Sequence, residues 1–359
     1  MLHPHYYGLI LAGGRGTRFW PRSRRGAAKQ VLKVLGDRSL IQQAVDRLKP
    51  LIPPERLWVL TNGYLRSEIV RQLPEVPPDQ IVAEPAQRNT AAAIGLAAHI
   101  LHSLDPDAVM GVFPSDHVVT RAGRFRQLLR AALRAAEGGS IAVLGIQPRW
   151  AETGYGYIEF PRGTTPGSLT PAPVRRFREK PDAAVARRYV AAGRFYWNAG
   201  MFFWRADVLL GQLRRHLPKT ATLLASLPGF RDPGFEAALQ RTFPLAEKIS
   251  IDYAVLERAQ GVVGIPCDEI GWSDLGSWNS IHELLPRDRE GNSRRDNVLP
   301  SASSGNYVDA PGKLVALLGV KDLIVVDTPD ALLVAHRDSA QDVGRIVELL
   351  EQRKREDLV

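Results

Sequence analysis

The chain has 359 residues, of which 45% are hydrophobic, 24% charged and 8% aromatic. This composition belongs to an ordinary globular protein and excludes a collagen-like, coiled-coil or disordered chain. Basic residues outnumber acidic ones by 47 to 38, a formal charge of +9, but they are scattered and accompany no finger, zipper or RNA-binding pattern, so no nucleic-acid partner is expected.

The first 150 residues or so alternate short apolar runs with helical stretches. Strands are predicted at 6–12, 56–62, 80–85, 108–116 and 140–146. Helices are predicted at 39–48, 65–73, 90–104 and 124–137. Such alternation predicts an α/β fold with a mostly parallel sheet and helices on both faces. Ligands of these sheets bind beyond the carboxyl ends of the strands.

The rest of the chain has a more varied pattern. Further strands are predicted at 155–160, 174–181 and 198–204, with a helix at 183–192. Beyond about residue 280, a polar, turn-rich stretch leads to short β runs over 314–336 and a closing helix at 338–354. We therefore expect two domains, 1–280 and 281–359, the second small and β-rich.

A glycine-rich segment, LAGGRGTRFWPRSRRGAAKQ, follows the first predicted strand at 11–30. Its glycines, 13, 14 and 16, would let backbone N–H groups approach and bind phosphate oxygens. No Gly-Lys-Ser/Thr follows, and Phe19 stands where the dinucleotide fingerprint needs a glycine. Nearby cations are Arg15, Arg18 and Lys29. Their charge favours a triphosphate ligand; the alternative is a simple turn with incidental surface arginines.

A second segment, AEPAQRNTAAAI, combines polar residues with the start of a helix. Asn89 or Thr90 could cap that helix. Alternatively, Glu84 and Asn89 could face the edge of a base, with the carboxylate accepting from a donor-rich purine such as guanine. Both interpretations stay open on the residues alone.

Two aspartates fall in separate segments, one after an apolar run and one flanked by glycine and tryptophan. Asp116 ends the predicted strand segment 108–116, His117 follows it, and Asp274 lies in GWSDLGSW. A carboxylate at that sheet edge can hold Mg²⁺ against phosphate oxygens. The alternative role for Asp116 is a turn or helix cap, and spacing along the chain cannot pair it with Asp274.

A further set of small and polar residues lies beside aromatic ones in ETGYGYIEF, FREKP and YWNAGMFFW. Its candidate members are Gly154, Glu179, Lys180 and Asn198. Carboxylate, amide and ammonium groups next to aromatic rings suit a sugar phosphate. The alternative is an exposed hairpin with a structural aromatic cluster.

Taken together, the motifs over residues 9–278, with SIDYAVLE at 250–257, resemble the sugar-phosphate nucleotidyltransferases, and most closely the mannose-1-phosphate guanylyltransferases. The resemblance implies a Rossmann-like (GT-A-like) catalytic domain and a C-terminal segment that often self-associates, as in a homodimer. Two positions depart from the family pattern: Ala28 replaces a usual proline and Ala199 a common serine.

The resemblance also implies a role for each matching residue. Nucleotide contacts fall to Leu11, Ala12, Gly13, Gly14, Gly16, Thr17, Glu84, Asn89, Thr90 and Ser115. Substrate contacts fall to His117, Gly154, Tyr155, Glu179, Lys180 and Asn198. Catalysis falls to Lys29, Arg18, Asp116 and Asp274, the two aspartates also binding Mg²⁺.

The implied reaction transfers GMP from GTP to mannose 1-phosphate and releases pyrophosphate, by Mg²⁺-assisted in-line attack on the α-phosphorus. Alternatives are another base and sugar pair, or a nucleotide-sugar sensor without turnover. The chain ends before any isomerase domain of bifunctional relatives, which favours transferase activity alone. One cysteine, Cys267, with no secretory signal and no membrane-length apolar run, predicts a cytoplasmic protein without a membrane partner.

Overall fold

The computed structural model describes residues 3–294 and 297–359. The strands are β1 (Tyr6–Ala12), β2 (Leu57–Asn62), β3 (Ile81–Glu84), β4 (Val109–Pro114), β5 (Val118–Val119), β6 (Ala142–Ile146), β7 (Tyr157–Glu159), β8 (Ala172–Pro173), β9 (Arg176–Arg178), β10 (Phe195–Arg205), β11 (Val263–Pro266), β12 (Trp272–Ser273), β13 (Ser293–Arg294), β14 (Val298–Ser301), β15 (Tyr307–Asp309), β16 (Val315–Leu318), β17 (Leu323–Asp327) and β18 (Leu332–His336).

The α-helices are α1 (Leu40–Leu48), α2 (Gly63–Gln72), α3 (Asn89–Leu104), α4 (Ala122–Glu137), α5 (Ala183–Ala192), α6 (Ala206–His216), α7 (Pro218–Ala225), α8 (Phe235–Thr242), α9 (Trp278–Leu284) and α10 (Gly344–Gln352). None of the helices within the described ranges has the length and apolar character that a membrane crossing requires.

The central sheet has the order β3-β2-β1-β4-β10-β6-β11-β8, and β7 and β9 extend it from β10. The strands that share one direction are β1, β2, β3, β4, β6, β7 and β11. The long strand β10 runs antiparallel to its neighbours β4 and β6. The fold class is therefore the mixed, mostly parallel α/β class that the sequence predicts.

Alternating side chains of the central strands build a core on each face of the sheet. Ile10 and Phe113, which are register partners, belong to a cluster that includes buried residues of α1, α2 and α4. Leu9 and Val112, one residue earlier on each strand, belong to a cluster with α3, α6 and α7. Because successive side chains of a strand point to opposite faces, these two clusters cover both sides of the sheet.

The elements predicted in the first half lie within two residues of their predicted bounds, and Ser39 caps α1 with a reciprocal bond pair to Gln42. The predicted strand at 174–181 is shorter, only Arg176–Arg178. The predicted helix at 338–354 is wrong in its first half. Residues Arg337–Val343 form a 3-10 segment, in which the His336 side chain accepts from the Asp338 N–H.

The C-terminal strands coil as a β-helix. Ser293 pairs in parallel with Tyr307, and Tyr307 with Ile324. Asparagine side chains stack at one corner, where the Asn306 amide donates to Asn292 Oδ1 and Asn306 Oδ1 accepts from the Leu323 N–H. The division at residue 280 stays a prediction, and α9 spans that position.

Candidate active site

Two adjoining cavities open at the carboxyl ends of β1, β3 and β4. The first, of about 450 Å³, is lined by ten of the predicted residues: Leu11, Gly13, Gly14, Gly16, Lys29, Glu84, Asn89, Thr90, Ser115 and Asp116. The second, of about 360 Å³, is lined by seven: Gly16, Thr17, Arg18, Lys29, Asp116, His117 and Asp274. Three residues, Gly16, Lys29 and Asp116, border both cavities.

The backbone of the glycine-rich loop is fixed by close contacts. Gly16 has φ +62°, and a Cβ atom there would stand 2.4 Å from Lys29 Cβ and 2.9 Å from the Lys29 nitrogen, so only glycine fits. The Gln30 amide donates to the carbonyl oxygens of Ala12 (2.8 Å) and Gly14 (3.1 Å). Ala12 is buried and contributes this carbonyl rather than a cavity wall.

Lys29 joins the two aspartates. Its ammonium, on a side chain only 8% exposed, donates to Asp116 Oδ2 at 2.9 Å and to the Asp274 carbonyl oxygen at 2.7 Å. Burial works to raise the pKa of Asp116, but the charge of Lys29, its hydrogen bond, the neighbouring His117 and a backbone hydrogen bond together hold this pKa below its ordinary value. Asp116 is therefore a carboxylate at neutral pH.

Strand pairing explains why Asp274 lies near Asp116. The short strands β5 and β12 are antiparallel, with Ser273 opposite Val118 and Trp272 opposite Val119. Asp274 directly follows β12, and Asp116 lies two residues before β5. The Tyr155 hydroxyl donates to Asp274 Oδ1 at 2.6 Å, and burial followed by the charge of Asp274 raises the pKa of Tyr155.

His117 is held as a neutral imidazole. Burial lowers its pKa, and the Trp272 indole N–H points to Nδ1 at 3.3 Å. Because the indole nitrogen can only donate, Nδ1 acts as an acceptor and the proton lies on Nε2. The backbone carbonyl of His117 accepts from Arg47 at 2.8 Å.

The two carboxylates suit a magnesium ion that takes further ligands from substrate and water. Asp116 and Asp274 line one cavity, and Mg²⁺ is commonly bound through one or two carboxylates plus phosphate oxygens. Among the described residues, no group of three or more His, Cys, Asp or Glu could hold a metal ion on its own. The two carboxylates therefore fit a Mg²⁺ ion that takes its remaining ligands from substrate and water.

A second polar group lies at the junction of β7, β9 and β10. Asn198 donates to Asp252 Oδ1 at 3.0 Å, and Lys180 Nζ lies 3.3 Å from Glu179 Oε1. Burial, then repulsion from Glu179, raises the pKa of Asp252 to about 7. Gly156 leaves room for Glu179, whose Oε2 would lie 2.4 Å from a Cβ atom there.

Residues 155 and 156 connect this group to the aspartates. The Tyr155 carbonyl accepts from the Lys180 N–H at 3.2 Å, while its hydroxyl reaches Asp274. The Gly156 carbonyl accepts from the Asn198 N–H at 2.8 Å. Gly154, by contrast, lies in an exposed turn, where its N–H donates to Glu152.

The start of α3 differs from the capping interpretation. The N-cap position is Arg88, and no side chain caps the helix there. Asn89 has φ +63° and its Oδ1 accepts from the adjacent Thr90 N–H, while Thr90 Oγ1 accepts from the Ile251 N–H. Thr90 thus ties α3 to the segment before Asp252, and burial raises the pKa of the nearby strand-end residue Glu84 to about 7.

Three residues escaped sequence reasoning. Asp252 lies in the SIDYAVLE segment, and its partner Asn198 comes from a distant part of the chain. Lys248 lines the larger cavity beside Asn89 and Thr90, and Gln30 orders the loop; neither stands out in the sequence.

Comparisons with known proteins identify related families and chains. A family model described as nucleotidyl transferase matches residues 7–291, and one described as a MannoseP isomerase/GMP-like beta-helix domain matches residues 296–350. The chain is 37% identical over 355 residues to a mannose-1-phosphate guanylyltransferase of Klebsiella pneumoniae, covering 97% of this chain and 74% of that protein. It is 38% identical over 361 residues to the Escherichia coli K12 enzyme of that name, covering 98% and 74%.

A solved structure from Thermus thermophilus, described as a mannose-1-phosphate geranyltransferase, superposes with a TM-score of 0.85 at 31% identity. The match covers 97% of this chain and 99% of that one.

Proposed function

The chain belongs to the nucleotidyl transferase family, and we propose that it transfers GMP from GTP to mannose 1-phosphate, giving GDP-mannose and pyrophosphate. The names of its relatives and the site chemistry support this choice. The observation that carries it is the meeting of Lys29, Asp116 and Asp274 where the two cavities adjoin.

The reaction asks the protein mainly for positioning and charge. A phosphate monoester oxygen is an adequate nucleophile at neutral pH, so neither a general base nor a covalent enzyme intermediate is needed. Two polyanions must instead be held in line while negative charge shifts to the leaving pyrophosphate. Lys29, Arg18 and the N–H groups of the glycine-rich loop supply positive charge there.

Asp116 and Asp274 would hold Mg²⁺, which when bound supplies Lewis-acid polarisation of phosphate oxygens. The charge and hydrogen bond of Lys29 help to keep Asp116 ionised, as a metal ligand must be. Tyr155 orients the Asp274 carboxylate through its 2.6 Å bond.

We assign the larger cavity to the nucleotide. Glu84, at the end of β3, would accept hydrogen bonds from the donor-rich edge of guanine, and such donors favour the ionised carboxylate. Asn89, Thr90 and Ser115 line the same cavity. The sugar phosphate would bind at the group formed by Glu179, Lys180, Asn198 and Asp252. The carboxylates and the amide would bond to sugar hydroxyls, and the Lys180 ammonium would bind the phosphate.

We also propose that the protein acts in the cytoplasm and forms a homodimer. Cys267 is buried and unpaired, which suits a reducing compartment. Several side chains of the C-terminal strands are apolar and exposed, among them Leu299, Leu318, Leu332 and Val334. Exposed apolar groups of this kind are typical of a self-association surface.

The test is pyrophosphate release in the presence of Mg²⁺, with GTP, ATP, UTP or dTTP, each offered with mannose 1-phosphate or glucose 1-phosphate. Rapid release with GTP and mannose 1-phosphate alone is the expected result. Equal turnover with other pairs would overturn the base and sugar assignment within the family. No release with any pair, from folded protein that binds GTP, would favour a sensor.

A further inference from the structure

The glycine-rich loop has a second side, which faces away from the cavities. Trp20 on that side, and Phe19, which also borders the smaller cavity, are buried in a cluster with Trp278, Tyr307 and Val343, all from the C-terminal part of the chain. The Phe19 and Trp278 ring centroids are 5.0 Å apart. The loop therefore lies between the candidate nucleotide cavity and the β-helix.

Hydrogen bonds fix this packing at both edges of the Trp20 residue. Its indole N–H donates to the Leu358 carbonyl at 2.9 Å, and its own carbonyl accepts from the Trp278 indole at 3.0 Å. The Arg25 N–H donates to the Val359 carbonyl at 3.2 Å. Both indole hydrogen bonds join buried or half-buried groups, and they therefore restrict the orientation of the two indole rings.

One ion pair anchors the loop more firmly than the others. Arg22 donates to both oxygens of Asp309, at 2.9 and 2.6 Å, and the Asp309 side chain is 2% exposed. Because the buried Asp309 carboxylate accepts from Arg22 at two points, removal of its negative charge weakens this link between the loop and β15. The Arg15–Glu351 pair, at 2.7 Å, is exposed on both sides and contributes less.

A short rigid turn links this anchor to the cavity. The Phe19 N–H donates to the Gly16 carbonyl at 2.9 Å, and the Arg22 N–H donates to the Phe19 carbonyl at 2.9 Å. Gly16 in turn contacts Lys29 so closely that no side chain fits between them. A displacement of Arg22 is thus transmitted to the N–H groups and the lysine at the cavity.

We propose that Asp309, Trp278 and the carbonyls of Leu358 and Val359 form a brace that sets the position of the glycine-rich loop, and that Asp309 is a positioning residue for the nucleotide. The proposal rests on the assignment of the larger cavity to the nucleotide. It gives the β-helix a role in nucleotide affinity although Asp309 lines neither cavity.

The test compares Asp309→Asn with Asp327→Asn in the full chain. Asp327 belongs to the same β-helix and is nearly as buried, but its partner is Lys313, at 2.9 Å, instead of the loop. Three quantities are measured: GTP affinity by calorimetry without sugar phosphate, the separate KM values for the two substrates, and hydrogen exchange of residues 13–25.

We expect Asp309→Asn to weaken GTP binding by roughly ten- to a hundredfold, since misplacement by about 1 Å can have an effect of that size. Exchange of the loop should become faster, while KM for mannose 1-phosphate at saturating GTP stays within about twofold. Asp327→Asn should keep the parent GTP affinity and loop exchange, whatever its loss of thermal stability.

Equal effects of the two substitutions, or equal rises in both KM values for Asp309→Asn, would overturn the brace. If Asp309→Asn does not fold, Arg22→Lys replaces it, because lysine keeps the charge but loses the two-point contact; unchanged GTP affinity and loop exchange there would overturn the proposal. If the parent protein binds another nucleotide instead of GTP, the base assignment fails and the same comparison is made with that nucleotide. If the parent protein binds no nucleotide, the proposed function fails, and the comparison of loop hydrogen exchange between the two variants alone tests the brace.

Discussion

Replacement of Gly16 by alanine tests whether the shape of the glycine-rich loop holds Lys29 in its working position. The new side chain meets two separate obstacles. It must adopt φ +62°, a left-handed conformation that costs a residue with a Cβ atom about 1–2 kcal/mol. Its Cβ would also stand 2.4 Å from Lys29 Cβ and 2.9 Å from the Lys29 backbone nitrogen.

The second obstacle sets the size of the effect on activity. Non-bonded carbon atoms are most stable about 3.5–4.0 Å apart, so Lys29 or the loop must move by roughly 1 Å. Misplacement of a catalytic group by about that distance can lower the rate ~10²-fold, which corresponds to about 2.7 kcal/mol of transition-state stabilisation. We therefore expect kcat/KM for pyrophosphate release to fall about a hundredfold in Gly16→Ala.

The matched control is Gly36→Ala. Gly36 also has a left-handed backbone, with φ +77°, but a Cβ atom there would meet nothing within 4 Å. Both variants should lose thermal stability, measured as Tm, while only Gly16→Ala loses activity. Activity of Gly16→Ala within about threefold of the parent, in a folded protein, would refute the reasoning that links this glycine to the position of Lys29.

Three further predictions concern groups of the site. Lys29→Ala should lower turnover by about 10²–10³-fold, since it removes a preorganised donor; near-normal turnover with intact folding would contradict this role. Asp274→Asn should raise the Mg²⁺ concentration needed for half-maximal rate and lower the rate itself, although its amide oxygen can still accept from Tyr155; an unchanged Mg²⁺ titration would count against Asp274 as a ligand. Burial raises the pKa of Glu84 from 4.5 to about 7, so the folded state retains a proton there that the unfolded chain releases. The stability that this proton contributes is complete below pH 4.5 and is lost as the pH rises to about 7. The Tm of Glu84→Gln minus that of the parent should therefore increase between about pH 5 and about pH 8. A Tm difference that does not change with pH would contradict the raised pKa.

Local patterns in the sequence predict the parallel half of the sheet well. Strands β1 and β4 are continuous apolar runs because both of their faces are covered, and Ser39 marks the start of α1. The same reasoning says little about where β10 is inserted. Its place between β4 and β6 depends on pairing with strands far away along the chain, and no local pattern encodes such pairing.

Prediction of the site from the sequence is limited in the same way. The glycine loop and Asp116 are visible as motifs, but the proximity of Asp116 and Asp274 arises from the two-residue pairing of β5 with β12, which is too short to leave a pattern. Asp252 was missed because its neighbour Asn198 comes from a different part of the chain. The helix predicted over 338–354 is wrong at its start, where Arg337–Val343 form a 3-10 segment and the His336 side chain accepts from the Asp338 N–H.

The segment around residues 249–252 touches both halves of the site at once. On one side the Ile249 carbonyl accepts from the Ala91 N–H, and the Ile251 N–H donates to Thr90. On the other side Asp252 bonds to Asn198. A ligand in either half that shifts this segment changes the affinity of the other half, and the two changes are thermodynamically reciprocal. If nucleotide and sugar phosphate occupy the two halves as proposed, this segment offers a direct structural path between the two ligands.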